Sequence, residues 1–141
     1  MLLYGASEEV AAWVSFQLFG NYRSFKGSEA IGVVKDGKLI CGVIYEDFVY
    51  TPEGKCFACE MSIASIDKTW AKRHYLKAFF SYPFIQLDLE RVLTQCSKNE
   101  GDIMNFNKRL GFKKEGVHRG AWPCGGDSIS FGMLKGECKW L

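Results

Sequence analysis

The run from Cys96 to Gly116, CSKNEGDIMNFNKRLGFKKEG, constrains the fold more tightly than any other stretch of the chain. It reads as a strand end, a helix, a glycine stop and a second strand in immediate succession. Asn99 stands at an N-cap position, Glu100 and Asp102 bring negative charge to the first turn, and Asp102 is spaced to reach back as in a capping box. Ile103, Phe106 and Leu110 then recur at helical spacing and make one apolar stripe. Gly111 follows as a residue free to take positive φ, and Phe112 opens a new extended segment. A helix held between two strands is the unit around which the remaining segments have to be arranged.

Those segments alternate in the same way. Ser7 is placed to cap a helix carrying Glu8 and Glu9 in its first turn and Val10, Trp13, Val14 and Leu18 on its apolar face, with Gly20 and Asn21 as its stop. Residues 21–28 are polar and read as a loop; Arg23, Phe25, Lys26 and Gly27 could flank a binding site there. Ile31 to Val34 and Leu39 to Phe48 form a hairpin across Asp36-Gly37, because that pair supplies the positive φ values of a tight turn. Thr51 to Gly54 is a second turn. In the strand from Phe57 to Ile66, alternation puts Phe57, Cys59, Met61 and Ile63 on one face and Ala58, Glu60, Ser62 and Ala64 on the other. Asp67 to Ser81 reads as a helix with Trp70, Ala71, Tyr75, Ala78, Phe79 and Tyr82 on its stripe, ending before Pro83. Val92 to Cys96 is a short strand. Phe112 to Gly120 and Ser128 to Leu134 pair across a loop from Ala121 to Asp127. Interleaved strands and helices predict an α/β layer around a mixed sheet.

With 141 residues, 48% apolar and 15% aromatic, residues 1–141 are expected to form a single domain with a substantial core. A formal charge of +2 carries no field that would announce nucleic acid. The basic run Lys108, Arg109, Lys113, Lys114 reads as a solvated face. MLLYGASEEV lacks the flank and apolar run of a signal peptide, and no segment approaches a membrane span, so the expected location is cytoplasmic. Six cysteines in apparently core segments read as buried free thiols. Cys56 and Cys59 form a C-x-x-C, but residues three apart on a strand point to opposite faces, which argues against both a metal site and a redox pair.

The pattern Asn99-x-x-Asp102-Ile103 followed by Lys108-Arg109-Leu110-Gly111-Phe112-x-x-Glu115-Gly116 resembles the signature of the GNAT acyl-CoA N-acyltransferases, and is most similar to the branch of ribosomal-protein N-terminal acetyltransferases. The resemblance extends more weakly from Ile31 to the C-terminus, through Tyr82-Pro83-Phe84 and Phe131-Gly132-Met133-Leu134. It implies a largely antiparallel sheet with helices on both faces, acetyl-CoA as cofactor, and a primary amine as acceptor. The acceptor is left open among a protein N-terminus, a lysine and a small amine, as is the choice between monomer and homodimer. The resemblance implies cofactor contacts from Ser62, Ile63 and Ala64 on the strand, from Lys68, Trp70, Ala71, Lys72 and Arg73 at the following helix start, and from Asn99 and Asn105. Two backbone N–H groups near Ile63 and Ala64 would polarise the thioester carbonyl. Charge supports the helix start independently: cations in the first turns of a helix cost about 0.3–1 kcal/mol each, and a bound phosphate reverses that sign. The alternative is three solvated side chains.

Two departures from the family pattern stand out. Its turn Q/R-x-x-G-x-G/A is replaced by a glycine-free Asp67-Lys68-Thr69-Trp70-Ala71-Lys72-Arg73, and Asn107 occupies the place of a thiolate-protonating tyrosine. Asn99 is read both as an N-cap and as a contact to the pantetheine arm.

Glu60 is the first choice as general base, with pairing to a neighbouring lysine as the competing reading. An amine must lose a proton before attack, against about 3.4 pK units for a lysine at pH 7 and about one for an α-amine. His118, Arg119 and Trp122 are expected on the acceptor side, whereas His74 reads as a packing residue. The predicted activity is acetyl transfer from acetyl-CoA to an amine. The alternative keeps the fold as a binding module for CoA, protein or nucleic acid. The short chain and reduced motif suggest a phage or prophage source.

Overall fold

The computed structural model describes residues 1–21 and 28–141, so the loop expected around Arg23, Phe25, Lys26 and Gly27 lies outside the described residues. The described residues hold seven strands in one sheet, β1 (Leu2–Leu3), β2 (Glu29–Lys35), β3 (Lys38–Tyr50), β4 (Cys56–Ser65), β5 (Arg91–Ser97), β6 (Lys113–His118) and β7 (Ser128–Leu134). Their order is β1-β2-β3-β4-β5-β7-β6. Every neighbouring pair is antiparallel except β4 and β5, which run parallel. Three helices accompany them, α1 (Ser7–Phe19), α2 (Arg73–Ser81) and α3 (Gly101–Leu110). The mixed, largely antiparallel α/β architecture expected from the sequence is the one observed.

Helix α1 covers one face, burying Val10, Ala11 and Val14 against Ala30 of β2, Ile44 of β3 and Ala64 of β4. It comes this close because Gly32 and Gly42 face each other beneath it as cross-strand partners. A Cβ on Gly42 would stand 2.6 Å from Val14 Cγ2 and 2.9 Å from Val10 Cγ1. Ser7 does not cap the helix; Ala6 holds that position. The Ser7 hydroxyl instead donates to Glu29 Oε2 at 2.9 Å and accepts from the Ala30 N–H at 3.1 Å, tying the helix start to β2.

Helices α2 and α3 cover the opposite face. There Leu76, Phe79, Phe80 and Leu110 join Tyr45, Met61, Val92, Phe131 and Met133 in the larger core. The Tyr45 hydroxyl, fully buried, donates to the carbonyl of Phe79 and so finds the partner that burial demands. Between the sheet's last strands, Arg91 reaches Glu115 of the GF-x-x-EG run with two hydrogen bonds, at 2.8 and 3.1 Å. The pair crosses over Gly132, where any Cβ would sit 2.3–2.4 Å from the Glu115 carboxylate.

Three boundaries differ from the sequence reading. The helix expected to end before Pro83 runs on through it as a π turn over Tyr82–Gln86. The helix expected from Asp67 starts only at Arg73. Asp67 takes the amide and hydroxyl of Thr69 with its own carboxylate, at 2.8 and 2.7 Å, which folds Lys68–Trp70 into a separate tight turn. Lys72 is then extended, with φ −92 and ψ 147. At the other helix, Asn99 is not the N-cap. The Ser97 hydroxyl accepts from the Asn99 N–H at 3.1 Å, Glu100 takes the cap position with no side-chain bond, and no capping box forms. Ser97 thus closes the turn before the helix by bonding the backbone two residues on.

The six cysteines are all free. Cys59 is fully buried and its thiol is pushed up to about 12 by desolvation, which removes it from thiolate chemistry. Among the described residues, no helix is long and apolar enough to cross a membrane.

Candidate active site

The site follows from the single parallel junction in the sheet. Strands β4 and β5 pair at Ala58 with Arg91, Cys59 with Val92 and Glu60 with Leu93, and pairing stops there although β4 continues to Ser65 and β5 to Ser97. Past that point β4 remains hydrogen-bonded to β3 on its other side. Alternate residues of β4 therefore turn their N–H and C=O groups away from β3, toward the opening. A cavity of about 840 Å³ fills the gap, with Ser62, Ile63, Ala64 and Ser65 on one wall and Thr94, Gln95 and Cys96 on the other.

Glu60, at the last paired position, lies at the head of this cavity. Directly across from it on β3 stands Glu46, followed by Asp47, whose φ of 54 places it in a left-handed bulge. One carboxylate oxygen from each of Glu46, Asp47 and Glu60 lies within 4.8 Å of the others, a group of acids that no other described residues match. Burial and the hydrogen bond and negative charge of Asp47, together with Glu46, push the Glu60 carboxyl up to about 7, while a hydrogen bond from Gln95 opposes the shift. A carboxylate that gains and loses its proton near neutrality, facing an open cavity, is suited to taking a proton from an amine.

Of the residues expected from the sequence, the structure brings Glu60, Ser62, Ile63, Ala64, Lys68, Trp70, Ala71 and Trp122 together around the cavity. Trp70 is 4% exposed and stacks on Phe79 at 5.9 Å and edge-on to Phe106 at 5.7 Å. It forms a wall and leaves the gap between β4 and β5 open.

Lys72, Arg73, Asn99, Asn105, His118 and Arg119 do not line the cavity. Arg73 is the first residue of α2, but its guanidinium donates to the Lys139 carbonyl at 3.3 Å and lies 5.7 Å from the centre of the Trp140 ring. The C-terminal segment thus occupies one of the three cations that the sequence offers to a phosphate, while Lys68 lines the cavity. Asn99 is exposed and its side chain lies near Gly126. Asn105 is exposed on the outer side of α3. His118 shares a 3.0 Å hydrogen bond with Ser130 on the edge of the sheet.

Sequence reasoning missed Glu46, Asp47, Gln95 and Arg109 as parts of this lining, whereas Asn107, which the resemblance puts at the tyrosine position, does line it. A signal existed for the first two, an acidic pair inside the otherwise apolar run LICGVIYEDFVY. Arg109 had been read within a solvated basic run, yet it lines the cavity as Lys68 does. Asn107 carries a further feature. It is 6% exposed, it lines the cavity, and its Nδ2 is buried without a hydrogen-bond partner. Such an orphan costs about 1–3 kcal/mol.

No family model and no curated protein matches the chain by sequence. Solved structures do match by shape. A chimera built from the spermidine N-acetyltransferase of Vibrio cholerae superposes with a TM-score of 0.73 at 13% identity, covering 96% of this chain and 97% of that one. The ribosomal-protein-S5-alanine acetyltransferase of Vibrio fischeri gives 0.70 at 15% identity, covering 98% and 94%. A point variant of the Vibrio cholerae enzyme gives 0.65 at 17% identity, covering 82% of this chain and 69% of its own. The sheet that parts after its one parallel pairing, with helices on both faces, is the fold of the GNAT acetyltransferases.

Proposed function

We propose that the chain is an N-acetyltransferase that moves an acetyl group from acetyl-CoA directly to a primary amine. The observation that carries this reading is the cavity opened where β4 and β5 part, with a near-neutral carboxyl at its head. When bound, acetyl-CoA supplies an acetyl carbon activated by its thioester. The residues fit such a guest: the free edge of β4 offers alternating amides, and Lys68 and Arg109 bring positive charge to the lining.

In the transfer, the amine nitrogen forms a bond to the acetyl carbon, the carbon–sulfur bond breaks, and the thiolate leaves with the electron pair. Glu60 takes the proton that the arriving ammonium sheds before attack, and the second proton, released from nitrogen as the amide forms, goes to the departing thiolate or to water. Holding the two reactants in one slot contributes about 7–11 kcal/mol toward the barrier, so a proton donor for the thiolate is dispensable. Asn107 cannot act as that donor. The acids around Glu60 favour an acceptor that arrives as an ammonium ion, whether a protein N-terminus, a lysine or a small amine.

The test is a thermal-shift titration with acetyl-CoA together with thiol release in the presence of peptide, lysine and polyamine acceptors. Saturation at a hundred times Kd adds about 2.7 kcal/mol of stability. Binding without thiol release from any acceptor would leave a binding module, and no shift at millimolar acetyl-CoA would overturn the reading altogether.

Asn107→Leu checks the packing beside the cavity: removing the orphan amide is expected to stabilise the chain by about 1 kcal/mol, read as a higher melting temperature.

A further inference from the structure

Side chains from three strands are linked at the head of the cavity. Ser128 of β7 is fully buried, and its hydroxyl donates to Gln95 Oε1 at 2.8 Å. Gln95 of β5 in turn donates from Nε2 to Glu60 Oε1 of β4 at 3.1 Å. The connection bridges β4 and β5 beyond Glu60 and Leu93, their last backbone pair. An ionised carboxylate only accepts hydrogen bonds, so Gln95 must present its NH₂ to Glu60, which turns its oxygen toward β7. Ser128 supplies the donor that this orientation requires.

We propose that Gln95 is a positioning residue for Glu60, oriented by Ser128, and that the pair holds the carboxylate in its ionised form facing the cavity. The inference rests on Glu60 being the base of the proposed transfer, but the relay acts on Glu60 whatever its role. The other groups bearing on Glu60 are Glu46 and Asp47 from β3, both of which favour its proton. Further along the cavity lie Lys68 beyond β4, Glu100 at the N-cap of α3, and Asp102 and Arg109 on α3. Gln95 is the group that opposes the two β3 acids by hydrogen bonding.

The experiment follows the Glu60 carboxyl by NMR on ¹³C-labelled full-length chain, beside pH profiles of acetyl transfer. Gln95→Met is expected to raise the Glu60 midpoint by about 0.5–1 pH unit and to move the acid limb of kcat/KM by the same amount. Ser128→Ala is expected to raise it by a smaller amount in the wild-type background and by nothing when Gln95→Met is already present. Ser128→Thr, which keeps the hydroxyl, restores the wild-type midpoint. An unchanged midpoint in Gln95→Met, or an equal effect of Ser128→Ala in both backgrounds, overturns the proposal. If the midpoint shifts as expected while the pH profile of transfer does not, the relay stands and the assignment of Glu60 as base is what fails.

Discussion

Glu60→Gln is expected to slow acetyl transfer at pH 7 by about 10²–10⁴-fold, the range over which a positioned general base acts. The same substitution is expected to make the chain more stable above neutral pH. Folding lifts the Glu60 carboxyl from 4.5 to about 7 because burial and the two neighbouring acids penalise its charge. A carboxyl raised in this way binds more protons in the folded chain than in the unfolded one between those values. Stability is therefore undiminished below about 4.5, falls as pH rises through 7, and carries the full penalty above it. Glutamine has no charge to penalise. It also keeps both contacts, accepting from Gln95 and donating toward Asp47. The gain at pH 8 is on the order of 1–3 kcal/mol once partial exposure of the site is discounted, and it vanishes at pH 4. Urea unfolding at the two pH values measures the gain, and thiol release measures the loss. A variant that kept its rate would remove Glu60 from the chemistry. A variant that lost its rate but gained no stability at pH 8 would mean that the three acids do not strain the fold as their spacing implies.

This opposition also explains which parts of the molecule were legible in the sequence. Periodicity and turn chemistry are local, so the hairpin at Asp36-Gly37, the alternation along β4 and the glycine end of α3 at Gly111 all stand where the sequence puts them. The helix starts differ because side chains close short turns ahead of them: Ser97 takes the Asn99 N–H, and Asp67 takes the amide and hydroxyl of Thr69. Glu60 was legible from its place among small residues on β4. Its acid partners were not, since Glu46 and Asp47 come opposite it only through the β3–β4 register and the bulge at Asp47. Asn107 stands between Phe106 and Lys108, and the resemblance already put it at an active-site position. Only the packing of α3 against the sheet reveals that its amide nitrogen is buried without a partner.

Trp70→Ala is expected to cost about 3–5 kcal/mol, the range for truncating a buried aromatic, and to lower the melting temperature by about 10–20 °C. The indole is 4% exposed and is held between Phe79 of α2 and Phe106 of α3, so its removal opens a hole where both helices meet the sheet. Its second consequence is functional. Trp70 is the last residue of the tight turn that carries Lys68 and leads through Ala71 into α2, and all three residues line the cavity. With the anchor gone, the turn is tied down mainly by the exposed contacts of Asp67 with Thr69 and Lys35. The KM for acetyl-CoA is then expected to rise more than kcat falls, because the loss is in holding the donor and not in the proton transfer at Glu60. Trp70→Phe keeps an aromatic ring against both neighbours and is expected to lose less than half as much stability while keeping a KM near that of the wild type. Urea midpoints at constant m-value measure the first effect, and steady-state kinetics at a temperature where both variants are folded measure the second. If Trp70→Ala lowered kcat and left KM unchanged, the turn would not be a donor-binding element, and the open edge of β4 would have to hold acetyl-CoA without it.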